Sequence, residues 1–112
     1  MLESEIQSSI IDYLTILEQQ RKIFFQRTNN TAIYDPIRKK FRSRAKVQKK
    51  GFPDILILVN GTCIGLEVKT ATGRQSTEQK AVQECFYLQK AKYYIVRSLE
   101  EVKKILENYL PR

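Results

Sequence analysis

The feature that most restricts the fold is an Asn-Gly pair between two apolar runs. Asn60-Gly61 separates residues 54–59 from residues 62–69, and both stretches are rich in aliphatic side chains. An Asn-Gly pair in this setting is typical of a two-residue type I′ turn, because both turn positions require a positive φ. The sequence therefore predicts a β-hairpin with strands over 54–59 and 62–69.

The register of this hairpin places two acidic residues opposite each other. If Val59 faces Thr62, counting back along both strands brings Asp54 opposite Glu67. Cross-strand neighbours have Cβ atoms about 4.5–5.5 Å apart, and two facing carboxylates destabilise a sheet unless something neutralises them. Because oxygen ligands at this spacing suit Mg²⁺ or Mn²⁺, the pair is a candidate metal site.

A lysine belongs to the same face of the hairpin. Lys69 follows Glu67 by two residues, so the two side chains share a face, and Gly65 is expected to leave space on it. A lysine beside a carboxylate pair can orient or help deprotonate an attacking water and offset charge on a phosphorane-like transition state. The alternative is an ordinary hairpin in which Glu67 and Lys69 form an ion pair, but the facing Asp54 favours a metal site.

Composition narrows the chemistry further. The chain has no histidine, which excludes a Ser-His-Asp triad, histidine-ligated zinc and nucleases that use a histidine base or ligand. Cys63 and Cys85 are isolated and are expected to be reduced, packed thiols, with one disulfide as the alternative. Hydrolysis here must therefore use carboxylates, lysines and a bound hard cation.

One segment carries the whole excess of positive charge. The net charge is +8, and the segment 38–50 holds eight basic residues and no acidic one: Arg38, Lys39, Lys40, Arg42, Arg44, Lys46, Lys49 and Lys50. The remaining basic and acidic residues balance. Such a basic segment suits nucleic acid or an anionic membrane surface, and a solvated loop is the alternative.

Hydrophobic periodicity predicts the other elements. They are a helix over 2–20, a strand over 23–27, a helix from Ser76, a strand over 93–96 and a helix from Ser98. The order α-β-β-β-α-β-α predicts an α/β domain over residues 1–112, with helices flanking a central mixed sheet of about four strands. The stretch 31–53 is predicted to be irregular.

Three further expectations concern helix faces and location. The first helix has an apolar stripe of Ile6, Ile10, Leu14 and Leu17. At 100° per residue Glu3 is in line with this stripe, so it is predicted near the sheet and the metal site, whereas Glu5 points nearly the opposite way. The alternative is that Glu3 only interacts favourably with the dipole of the first helix.

The second helix is expected to present Ala81, Val82, Cys85 and Phe86 as its apolar face. The short apolar runs and the N-terminus, which lacks the regions of a signal peptide, predict a soluble intracellular protein.

Four segments in this order resemble the VRR-NUC family, the virus-type replication-repair nuclease branch of the PD-(D/E)xK superfamily. They are ESEIQ at 3–7, GFPD at 51–54, EVKT at 67–70 and GRQSTEQ at 73–79, and together they span nearly the whole chain. The resemblance, to free-standing phage and bacterial versions, implies a restriction-endonuclease-like core. It also implies a metal-dependent endonuclease that hydrolyses DNA phosphodiester bonds in the cytoplasm of a bacterial or phage-infected cell.

The resemblance also implies roles for individual residues. Asp54 and Glu67 would bind Mg²⁺ or Mn²⁺, helped by the backbone carbonyl of Val68, and Lys69 would be the catalytic lysine. Glu3 matches the acidic residue of the family's first helix. These five residues would form the catalytic centre together with a helix glutamine.

That glutamine and three other residues each have two interpretations. Gln79 matches the family's glutamine near the active site, but Ser76-x-x-Gln79 is also a capping box. Arg27 aligns with a family arginine at the end of the first strand, where it would contact phosphate or be an ordinary surface arginine. Phe41 and Val47 would either anchor the basic segment or contact DNA.

The small members of this family resemble Holliday-junction resolvases. The resemblance therefore implies a homodimer acting on branched DNA during replication, recombination or repair, and two-fold pairing would give a 13 kDa protein more surface for a junction. The alternative from another class is a non-catalytic nucleic-acid-binding module that keeps the nuclease fold.

Overall fold

A computed structural model describes residues 1–28, 33–35, 40–42 and 49–111, with 33–35 and 40–42 described by their backbone. The elements are α1 (Glu3–Gln19), β1 (Phe24–Arg27), β2 (Ile33–Asp35), β3 (Lys40–Arg42), β4 (Ile55–Val59), β5 (Thr62–Val68), α2 (Thr77–Leu88), β6 (Lys92–Val96) and α3 (Leu99–Glu107). Across this part of the chain, no helix is both long enough and apolar enough to cross a membrane.

Four strands form the central sheet in the order β1-β4-β5-β6. β4 is antiparallel to both β1 and β5, and β6 runs parallel to β5. α1 and α3 contact each other and the sheet, while α2 lies against β6. The predicted α/β architecture with a mixed four-stranded sheet is therefore confirmed.

The predicted β4–β5 hairpin is confirmed in turn and register. Asn60 and Gly61 have φ values of 47° and 80°, as a type I′ turn requires. Val59 pairs with Thr62, and the ladder runs back to the pair Ile55 and Leu66. The next position along the ladder brings residue 54 beside residue 67.

The core lies between α1, α3 and one face of the sheet. Its buried members include the predicted apolar stripe of α1, namely Ile6, Ile10, Leu14 and Leu17. The alternate residues of β4 are buried as well, which leaves the residues between them on the opposite face. That opposite face carries the acidic pair.

The predicted apolar face of α2 is wrong in part. Val82 and Phe86 are half-buried, but Ala81 and Cys85 are exposed, and no residue of α2 is fully buried. Apolar spacing shows which residues share a helix face, whereas burial depends on how much structure lies against that face. Both cysteines are free thiols, as expected, although only Cys63 is partly covered.

The prediction that 31–53 is irregular is wrong for two short strands. β2 and β3 pair antiparallel, with Ile33 opposite Arg42 and Asp35 opposite Lys40. Each strand has only three residues, which is too short for the alternation of apolar and polar residues that identifies a strand in a sequence. This two-stranded sheet is separate from the central one.

Candidate metal centre

Two strands fix the position of Asp54. It lies immediately before β4, and its backbone carbonyl accepts a hydrogen bond of 2.8 Å from the amide of Thr28, just after β1. The Thr28 hydroxyl donates to the carbonyl of Pro53. From the other side, the amide of Val68 on β5 donates a 2.8 Å hydrogen bond to Asp54 Oδ2. The aspartate side chain is therefore held at the end of the sheet.

The residues before Asp54 dock on the start of α2. Gly51 has a φ of +87°, and a Cβ there would lie 2.5 Å from the backbone carbonyl carbon of Glu78, so only glycine fits. The Phe52 ring packs edge-on against Phe86, with centroids 5.6 Å apart. The Gly-Phe-Pro sequence thus sets the path by which the chain reaches Asp54.

The space expected above Gly65 is filled. A Cβ on Gly65 would lie 2.6 Å from Cγ of Pro53 and 2.9 Å from the Phe86 ring. Glycine is therefore needed here for the close packing of these two rings on β5, and no open space remains at this point. The expectation that Gly65 leaves room at the site is wrong for this reason.

Glu67 is a buried carboxylate next to a second one. Its residue surface is only 4% exposed, and burial first, then the charge of Asp54, raise its pKa to about 8. Asp54 is close enough to accept a hydrogen bond from a protonated Glu67. The two carboxylates that the hairpin arithmetic placed opposite each other do converge.

Lys69 and Glu3 lie around this pair. Lys69 Nζ is 3.9 Å from Glu67 Oε2, and its side chain is only 14% exposed. Glu3, exposed in the first turn of α1, is near enough for its charge to raise the pKa of Glu67 further. Glu5 is used differently, because its carboxylate accepts a hydrogen bond from the amide of Leu2. The helix-wheel distinction between the two acids agrees with these contacts.

Gln79 forms the predicted capping box. Its Oε1 accepts a hydrogen bond of 2.8 Å from the Ser76 amide, and its own amide donates to Ser76 Oγ at 3.1 Å. These bonds satisfy donors that the helix start would otherwise leave unpaired. The structural interpretation of Gln79 thus holds, and a role near the reaction centre stays a prediction.

Arg27 ends β1 on the α1 side of the sheet. It lines a small cavity of about 190 Å³ together with the α1 residues Ser4, Gln7, Ser8, Ile11 and Asp12. Its side chain is exposed. A contact with phosphate therefore stays a prediction.

Most of the basic segment lies outside the described residues. That is so for Arg38, Lys39, Arg44, Lys46 and Val47, and for the side chains of Lys40, Phe41 and Arg42, whose backbone forms β3. Lys49 and Lys50 are exposed, and Lys50 Nζ lies 3.8 Å from Glu78. An exposed pair of this kind contributes little stability, so Lys50 is available to a polyanion.

Sequence reasoning missed Arg97, which fixes the loop after Lys69. Its Nη1 donates hydrogen bonds to the carbonyls of Thr70 and Gly73, at 2.5 and 2.8 Å. These contacts join residues 24 and 27 positions apart, so no local pattern could reveal them. Arg97 thereby restrains the backbone that follows the lysine.

Tyr93 was predicted only as part of a strand, yet it lies beside the acidic pair. Burial first, then the charge of Glu67, raise its pKa to about 12. It pairs with Gly65 in the parallel register of β5 and β6. Only the register shows this placement. The sequence of this edge strand does not indicate which of its residues lie on the face of the sheet that carries the acidic pair.

The donor set fits one small hard cation. In the described part of the chain, no three acidic, cysteine or histidine side chains are grouped closely enough to bind a metal by themselves. Mg²⁺, however, is usually bound by one or two carboxylates, with water completing its shell. Within the described part of the chain, Glu67 Oε1 is buried without a hydrogen-bond partner, and a bound cation would satisfy this oxygen.

Comparison with known proteins supports the fold. No protein-family model matches the sequence. No curated protein matches it either. A solved structure of a VRR_NUC domain superposes on it with a TM-score of 0.66 and 19% identity, covering 96% of each chain. The chain has the fold of that domain, so the predicted fold of the core is confirmed.

Proposed function

From the fold of a VRR_NUC domain, we propose that the protein is a metal-dependent endonuclease that hydrolyses DNA phosphodiester bonds. The observation that carries this proposal is the buried Glu67 carboxylate beside Asp54, with Lys69 Nζ 3.9 Å from it. Paired acids and a lysine at the end of a hairpin form the acid-acid-lysine set of PD-(D/E)xK nucleases. Mg²⁺ or Mn²⁺ would be the cofactor.

Asp54 and Glu67 would hold the cation, with the Val68 carbonyl as a third ligand. The Val68 amide donates to Asp54. In an antiparallel pair, the amide and the carbonyl of a residue are directed to the same neighbouring strand, so the Val68 carbonyl lies on the Asp54 side as well. A bound divalent cation supplies Lewis acidity and lowers the pKa of bound water.

Lys69 and Glu3 would complete the site. The Lys69 ammonium is largely shielded from solvent, so its charge acts strongly on a phosphate oxygen beside Glu67. It would orient the attacking water and offset negative charge that develops on phosphorus. Glu3 would accept a hydrogen bond from water on the α1 side, and Gln79 would hold the start of α2 close to the site.

A buried acid argues against a non-catalytic binding module. Burial and Asp54 make the charged form of Glu67 costly to the fold, as the raised pKa shows. A module that only binds DNA gains nothing from this cost, and a glutamine would fill the same volume. Costs of this kind are typical of residues kept for activity.

The proposed substrate is branched DNA, and the proposed assembly is a homodimer of a single domain over residues 1–112. The basic segment 38–50 would bind backbone phosphates with little sequence preference, together with Arg27. Two copies would place two sites on the arms of a junction. We infer a role in DNA replication, recombination or repair inside a bacterial or phage-infected cell.

A cleavage assay tests the activity. Supercoiled plasmid and a labelled four-way junction are incubated with the protein in Mg²⁺, Mn²⁺ or EDTA. We expect cutting with either metal and none in EDTA, and loss of cutting in Asp54→Ala and Lys69→Ala. Cutting that survives in both variants would show that the activity belongs to another site or another protein.

A salt titration tests the basic segment. Replacing Arg42, Arg44 and Lys46 with glutamine should weaken binding to all DNA sequences alike. Because each lost phosphate contact removes about 0.9 from the slope of log K against log salt, the slope should flatten by about 2–3. Binding is measured by fluorescence anisotropy in EDTA. As a control, glutamine replaces the exposed Lys22, Lys80 and Lys104; an equal change there would mean that the segment has no special role.

A further inference from the structure

Two buried side-chain oxygens lack a hydrogen-bond partner within the described ranges. They are Glu67 Oε1 and the hydroxyl of Tyr93. Buried polar groups are nearly always hydrogen-bonded, so an unpaired one calls for a physical explanation. Here the two unpaired atoms belong to the same site.

Sheet register places Tyr93 on the face of the acidic pair. Tyr93 pairs with Gly65 in the parallel β5–β6 ladder. Glu67 follows Gly65 by two residues and therefore shares its face. The two side chains are diagonal neighbours, and the charge of Glu67 is a cause of the raised pKa of Tyr93.

The Tyr93 ring is held in this position by its neighbours. Phe86 packs edge-on against it, with centroids 5.6 Å apart. The Gln75 amide lies near the hydroxyl and partly offsets the increase in the pKa of Tyr93. Gln75 Nε2 donates a 2.8 Å hydrogen bond to Gln83, and among the described residues none makes a hydrogen bond of normal geometry to the Tyr93 hydroxyl. The phenol is thus fixed and buried beside the carboxylates, and no residue of the described ranges pairs with its hydroxyl.

We propose that Tyr93 is a positioning residue of this metal site: when a divalent cation binds, its hydroxyl donates a hydrogen bond to the Glu67 carboxylate and holds it in the orientation of a metal ligand. This inference rests on the proposed function. In the cation-bound state this bond, direct or carried by one water, gives the Tyr93 hydroxyl the partner that it lacks among the described residues.

The chemistry of the two groups supports this pairing. A phenol hydroxyl is a good donor, and a carboxylate is an acceptor at both oxygens. A hydrogen bond to a charged acceptor is shorter and stronger than one between neutral groups. Groups that orient a metal ligand in this way typically change metal affinity by about 10–100-fold when they are removed.

Tyr93→Phe tests the inference because it removes the hydroxyl and keeps the ring against Phe86. Mn²⁺ affinity is measured by isothermal titration calorimetry at pH 7.5, and the melting temperature is measured in EDTA. We expect the Mn²⁺ affinity to fall about 10-fold. The melting temperature should stay the same or rise, because the change removes a buried polar group that has no partner.

Tyr94→Phe is the matched control. Tyr94 is the next residue of β6, on the opposite face, and its hydroxyl is hydrogen-bonded to the hydroxyl of Tyr109 at 2.6 Å. Because this variant breaks a bond already present, its melting temperature in EDTA should fall. Its Mn²⁺ affinity should match that of the wild-type protein.

The outcomes separate this inference from the proposed function. Wild-type Mn²⁺ affinity in Tyr93→Phe would overturn the inference alone, as would a drop in melting temperature equal to that of Tyr94→Phe. Such a drop in melting temperature would mean that the Tyr93 hydroxyl stabilises the fold even without a cation. Failure of the wild-type protein to bind Mn²⁺ would overturn both the proposed function and the inference.

Discussion

Glu67→Gln is expected to reduce DNA cleavage by about 10³-fold or more and at the same time to stabilise the cation-free protein. The amide keeps the volume of the acid but cannot bind the cation as a carboxylate does. It also removes a group whose charged form burial and Asp54 make costly. At pH 7.5 we expect a rise in melting temperature of about 5 °C.

Both effects are measured on the same preparation. Cleavage of supercoiled DNA is followed under single-turnover conditions in Mn²⁺, and unfolding is followed by circular dichroism in EDTA. Glu84→Gln, at an exposed position of α2, is the matched control and should change neither quantity. Loss of cleavage with loss of stability would mean that Glu67 is a structural residue, and unchanged cleavage would remove it from the catalytic site.

Without a divalent cation, the wild-type protein is expected to lose stability as the pH rises from about 4.5 to about 8. Glu67 has an ordinary pKa of 4.5 when exposed and about 8 in the fold. A raised folded-state pKa means that the folded protein holds the proton more tightly, so this contribution is complete below pH 4.5 and is lost above pH 8. Because the neighbouring Asp54 is partly exposed and Glu3 is exposed, solvent screens part of this effect, and we expect a total loss of about 2–3 kcal/mol.

Urea unfolding in EDTA at several pH values between 4 and 9 measures this loss. Mn²⁺ at one fixed concentration, a hundred times its dissociation constant at pH 8, should restore about 2.7 kcal/mol at that pH. The gain should be smaller at lower pH, where the carboxylate holds its proton and binds the ion more weakly. In Glu67→Gln the pH dependence should flatten and the gain from Mn²⁺ should disappear. A wild-type profile as flat as that of the variant would contradict the buried, paired state of Glu67.

The sequence predicted the central part of this protein because the responsible signals are local. Asn60-Gly61 sets a turn with a fixed number of residues, so the pairing of Asp54 with Glu67 follows by counting. Alternation then puts Lys69 on the same face. The α1 stripe is equally local, since a periodicity of 3.6 residues shows which side chains meet the core.

The rest depends on contacts between residues far apart in the chain. Phe86 meets Phe52 and Tyr93 from different elements, and this cluster, with Gly65 beneath it, decides how α2 sits on the sheet. Arg97 binds the carbonyls of the loop after Lys69. No regular spacing in the sequence indicates that these residues are in contact, so the burial of α2 and the position of Tyr93 could not be predicted.

The most direct test of the metal centre is anomalous diffraction from a crystal soaked in Mn²⁺. We expect one strong peak within ligand distance of an oxygen of Asp54 and of Glu67, with the Val68 carbonyl beside it. A peak elsewhere, or a well-ordered pair of carboxylates with no peak between them at saturating Mn²⁺, would contradict it.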